Sequence, residues 1–127
     1  MNASHPKAIE AAEQAAKRAE QRTMSKALIQ ELHGKGVRWL EVEPIHELEG
    51  GPKFKAGRMT IAYFPLGRNV VAVATSLCHP DDYFDKTTGR ARAGLALSQG
   101  HYILLRRPSS YETNREWLRS KFTEYMA

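Results

Sequence analysis

Residues 69–97 read NVVAVATSLCHPDDYFDKTTGRARAGLAL, and three kinds of local structure follow one another within them. Val70, Val71, Ala72, Val73 and Ala74 form an unbroken apolar run, the mark of a strand covered on both faces and therefore central in its sheet. The run ends in the polar segment CHPDDYFD. From Lys86 the chain becomes basic and alanine-rich, and Asp85 stands where a helix N-cap belongs. This predicts strand, loop and then a helix over residues 86–99, ended by Gly100. Gly89 and Gly94 each weaken that helix by about 1 kcal/mol relative to alanine.

The elements on either side follow from the same reading. Residues 58–64 alternate Met59, Ile61 and Tyr63 with Thr60 and Ala62, which predicts a half-buried strand. The turn PLGRN, residues 65–69, joins it to the apolar run as an antiparallel hairpin. Residues 37–43, VRWLEVE, are rich in β-formers and end at Pro44. Between these strands, IHELEGGPKFKAG contains Gly50, Gly51, Pro52 and Gly57 and reads as loop. Residues 6–33 are dense in Ala, Glu, Gln, Lys and Arg with no internal Gly or Pro, which predicts one long helix stopped by Gly34 and Gly36. Its apolar face grows from Ala8, Ala12 and Ala16 to Met24, Leu28, Ile29 and Leu32, so the second half should dock on the core. At about 1.5 Å per residue such a helix approaches 40 Å, so the N-terminal turns, residues 1–22, are expected to project as a helical extension, to fray, or to rest on a partner. Downstream, HYILL at residues 101–105 predicts a fourth strand. Ser109 and Glu112 have capping-box spacing, and the helix they announce carries Tyr111, Leu118, Phe122 and Tyr125 on one apolar face. The expected fold class is α+β: a small, mainly antiparallel sheet of three to four strands with a long N-terminal helix, a middle helix and a C-terminal helix, in one domain.

The composition narrows the function. With 127 residues, 42% hydrophobic and 26% charged, the chain suits one folded domain. Its single cysteine, Cys78, excludes an intrachain disulfide framework and fits a reducing compartment. No apolar run approaches the roughly 20 residues of a membrane-spanning helix, so the expectation is a cytoplasmic protein with no membrane partner. The formal charge of +5 leans toward acidic partners such as nucleic acid.

Three chemistries are open to the side chains. Lys86 and Arg90 share a helix face, Arg92 lies off it, and Arg106 with Arg107 follows the fourth strand; converging, they would grip phosphates by charge and bidentate hydrogen bonds. Arg115 and Arg119 repeat the four-residue spacing on the last helix, and Tyr83, Phe84 and Tyr102 would add stacking. The bland counterpart is a mixed-charge surface with Arg90 paired to Asp82 or Asp85. Alternatively, Cys78, His79, Asp81, Asp82 and Asp85, with His46 or His101, offer metal ligands or a thiol nucleophile with a histidine base. Paired CxxC or HxxxH spacings are missing, and no third residue orients a base, so neither a metal nor a catalytic residue is assigned and no cofactor is expected. A third alternative is self-association through the alanine-rich N-terminal helix, giving a homodimer.

The run ending in Cys78, His79 and Pro80, followed by Asp82, Phe84, Lys86, the Gly89-Arg90 pair and Ala93, is similar to a pattern in small uncharacterised bacteriophage proteins, in which an Asp, an aromatic and a Gly-Arg pair open an alanine-rich helix. The chain departs from that pattern downstream, continuing as LALSQG where a further basic residue is usual. The resemblance implies a phage setting, hence the host cytoplasm. Small phage proteins commonly act on nucleic-acid machinery, and together with the basic residues and the lack of catalytic spacing this setting leads to the expectation of a non-enzymatic protein that binds nucleic acid or a host complex that processes it, and modulates or inhibits that complex, for example as an anti-defence, anti-CRISPR-like protein. The residues expected to do so are Lys86, Arg90, Arg92, Arg106 and Arg107; the alternative is a small enzyme centred on Cys78, His79, Asp81 and Asp82.

Overall fold

A computed structural model describes residues 6–43, 45–47, 53–55, 57–78, 85–111 and 113–125. In chain order these form α1 (Pro6–Gly34), β1 (Arg38–Val42), β2 (Ile45–Glu47), β3 (Lys53–Lys55), β4 (Arg58–Gly67), β5 (Val70–Cys78), α2 (Lys86–Ser98), β6 (Ile103–Arg106) and α3 (Asn114–Tyr125). The class is α+β, as expected. The four-stranded sheet runs β1-β4-β5-β6 with every pairing antiparallel, so the apolar run of β5 does lie inside it.

The period of two along each strand sorts two cores onto the two faces. On one, Leu40, Val42, Ile61, Val71 and Val73 pack against Trp117, Leu118 and Phe122 of α3. On the other, Val37, Trp39, Ala62, Ala72 and Ala74 meet Leu32 of α1 and Ala93 and Leu97 of α2. Apart from Trp39, the larger side chains of the sheet thus face the single helix, and its alanines let the two-helix layer come close. This corrects the reading of β4 as half-buried: Thr60 and Ala62, on its second face, are fully buried, because α1 and α2 cover what the alternation suggested was solvent-facing.

Helix ends follow local chemistry. Both α1 and α2 close in a Schellman motif: Val37 N–H donates to Leu32 O (3.0 Å) past Gly36 at φ 104°, and His101 N–H donates to Ala96 O (2.8 Å) past Gly100 at φ 83°. Asp85 caps α2, its Oδ1 accepting from Thr87 N–H at 3.0 Å. The cap of α3 differs from expectation. Thr113 Oγ1 accepts from Glu116 N–H (3.2 Å), so the T-x-x-E pattern one turn later starts the helix, and residues 108–111 form a turn closed by Tyr111 N–H to Pro108 O. Residues 45–57 are also corrected: β2 and β3 pair antiparallel, Ile45↔Lys55 to Glu47↔Lys53, with Gly50, Gly51 and Pro52 falling between the strands in sequence and marking the connection, not the absence of strands.

The first two-thirds of α1 lies outside both cores. Residues 7–24 are exposed, Met24 among them, and burial begins with Leu28, Ile29 and Leu32. No helix among the described residues is long and apolar enough to cross a membrane.

Candidate functional site

The second half of α1 lies along α2, and between them runs an open groove of about 860 Å³. Its apolar lining comes from Leu28 and Met24 of α1 with Ala91 and Leu95 of α2. Its basic lining is Arg18 and Arg22, one turn apart on α1, and Arg92 on α2, all three exposed. Against these three guanidinium groups stands Asp85, whose Oδ1 lies 4.0 Å from Arg22 Nη2 while also capping α2. Neither Arg18 nor Arg92 forms an ion pair or hydrogen bond among the described residues. Such a lining offers donors to an anion beside a surface for its apolar parts.

The five basic residues picked from the sequence have different surroundings. Arg92 belongs to the groove, and Lys86 is exposed in the first turn of α2 beside Asp85. Arg90 turns toward the sheet, where its Nε and Nη2 donate to Glu41 Oε1 and Oε2 at 2.7 and 3.4 Å. Its partner is thus a strand carboxylate, not Asp85, and Asp82 lies outside the described residues. Arg106 is exposed opposite Val70, the first residue of β5, whereas α2 follows that strand's other end. Arg107 is half-buried and holds the chain together, its guanidinium donating to Tyr111 O and to Asn69 Oδ1. Arg115 and Arg119 donate to Trp39 O (2.9 Å) and Glu41 O (3.3 Å), closing the outer edge of β1. The residues that complete the groove, Arg18 and Arg22, were missed. Their four-residue spacing was visible, but nothing in the sequence says which helix α1 lies against.

The Arg90–Glu41 pair joins α2 to β1 and is itself measurable. The two side chains are only 30% and 20% exposed, so water screens them poorly. Glu41→Gln is expected to lower stability by about 1–2 kcal/mol, read from the urea midpoint; a change under about 0.3 kcal/mol would show the pair to be ornamental.

Cys78 is half-buried at the end of β5, opposite Arg58, and His101 is exposed just beyond α2. His79, Asp81, Asp82, Tyr83 and Phe84 lie outside the described residues. No group of three His, Cys, Asp or Glu side chains able to hold a metal ion forms among the described residues. No known protein family, curated protein or solved structure matches this chain.

Proposed function

We propose that this chain is a non-enzymatic binding protein that grips an anionic partner, the backbone of a nucleic acid as held in a host processing or defence complex, and modulates or blocks that complex. One observation carries the reading: Arg18, Arg22 and Arg92, brought from two helices, line one open groove together with apolar side chains. Net charge of +5 supports it by raising the local concentration of polyanions. The phage setting comes from the resemblance over residues 78–93 and directs the reading toward a host complex.

Fluorescence anisotropy with labelled single- and double-stranded oligonucleotides tests it. Three phosphate contacts predict that the logarithm of affinity falls with the logarithm of salt at a slope of about −2 to −3 between about 50 and 200 mM. Arg18→Glu with Arg92→Glu should remove most of the affinity, about 100-fold, and flatten the slope by about 2. Unchanged affinity in that variant would end the reading. Pull-down from host lysate with and without nuclease then separates the two forms of partner: capture of a complex that survives nuclease places the anion on a protein assembly, and capture lost with nuclease places it on nucleic acid alone.

A further inference from the structure

The two edges of the four-stranded sheet are treated differently. At β1 the outward carbonyls of Trp39 and Glu41 are occupied by Arg115 and Arg119 of α3, which is how a sheet blocks further strand pairing. At β6 nothing among the described residues plays that part. Ile103 and Leu104, on opposite faces of this edge strand, instead stand 57% and 59% exposed, and Tyr102 just before it stands 41% exposed.

From this contrast we infer that the β6 edge pairs with the β6 edge of a second copy of this chain, joining two sheets into one of eight strands. The backbone specifies the register. Arg107 N–H donates to Asn69 O, so this pair is hydrogen-bonded, and alternation along the ladder makes Leu105–Val71 and Ile103–Val73 hydrogen-bonded as well. Leu104 and Arg106 therefore direct their N–H and C=O groups away from β5. Antiparallel pairing about a two-fold axis at Leu104 satisfies these groups: Leu104 meets Leu104 of the second copy, and Tyr102 meets Arg106, an aromatic ring beside a guanidinium. A second copy fits the charge pattern too. The antiparallel joint holds the two Arg106 side chains four residues apart, about 13 Å along the strand, beyond the Debye length of about 8 Å.

Area places the joint among weak interfaces. Three half-exposed apolar side chains offer on the order of 300 Å² per copy, short of the about 800 Å² per partner of a standard interface. The joint is therefore a weak, reversible dimer. Its axis stands perpendicular to the sheet, so the α1–α2 layers of both copies face the same way.

Sedimentation velocity of the full chain over a concentration series from about 1 to 500 µM tests this, the upper end reaching the range in which a weak dimer forms. The expected result is a shift from 14.3 kDa toward twice that mass, abolished by Leu104→Lys. That variant replaces a solvent-facing side chain, and its circular dichroism and melting should match the parent. In a Cys78→Ser background, Leu104→Cys should form a covalent dimer on mild oxidation, because Cα atoms of a hydrogen-bonded antiparallel pair lie about 5.5 Å apart. A chain that stays monomeric across the series overturns the inference. So does a dimer that survives Leu104→Lys, which would place self-association elsewhere, α1 included.

Discussion

Leu118→Ala is expected to cost about 3–5 kcal/mol, the upper part of the range for emptying a leucine site in a core. Leu118 is fully buried and sits among Leu40, Ile61, Val71 and Val73, themselves almost or wholly inaccessible. Residues on β1, β4 and β5 form one rigid wall, so the space left by the lost methyls has little room to collapse. The helix is also short. At 12 residues, α3 cannot hold its own conformation in water and depends on the face it buries. Against a total stability of about 5–15 kcal/mol for a domain, this loss is a large fraction. Urea unfolding followed by tryptophan fluorescence reads it well, because the chain's two tryptophans report on opposite faces: Trp117 in the α3 core and Trp39 in the α1–α2 core. A loosened α3 would also release Arg115 and Arg119 from β1, so the variant should aggregate through that edge as it unfolds. A loss below about 1 kcal/mol would mean that α3 is only loosely held to the sheet.

Much of this core was legible because it rests on local periodicity. The apolar run of β5, the alternation of β4 and the 3.6-residue spacing of Leu118 and Phe122 each point to burial without knowledge of the neighbours. What could not be read is what depends on which element packs on which. Trp117 lies one residue off the predicted apolar face and is buried because α3 meets a sheet broad enough to cover two adjacent positions. Arg90 looked like a surface cation paired within its own loop, and its partner is Glu41, forty-nine residues away in β1. The groove has the same origin. Arg92 could be picked because it lies in a basic segment, whereas Arg18 and Arg22 sit in a helix where charges of both signs alternate and acquire meaning only when α1 lies beside α2. Weak strands fail differently: β2 and β3 have three residues each, too few for a period of two to show.

Gly94→Val is expected to destabilise the domain by about 3 kcal/mol, and even Gly94→Ala should cost about 1 kcal/mol. A view confined to the helix predicts the reverse for alanine, a gain of about 1 kcal/mol from better helix propensity. The difference lies in the packing. A Cβ at Gly94 would lie 2.8 Å from Leu32 Cδ1 and 3.2 Å from Trp39 Cζ2. Leucine can turn its end group away, but Leu32 is 5% exposed and has buried neighbours on its own face of the sheet. The indole has less freedom still, since its Nε1 donates to Arg90 O at 2.9 Å, on the same helix that carries Gly94. The easiest relief is for α1 to move off α2, and that movement has a reading beyond stability. It draws Arg18 and Arg22 away from Arg92 without altering any charge. Gly94→Ala should therefore weaken binding to an anionic partner several-fold at temperatures where the variant is still fully folded, while keeping its salt dependence. An alanine variant that gains stability would show that the two helices are not in close contact at Gly94, and would remove the basis for a groove that depends on their spacing.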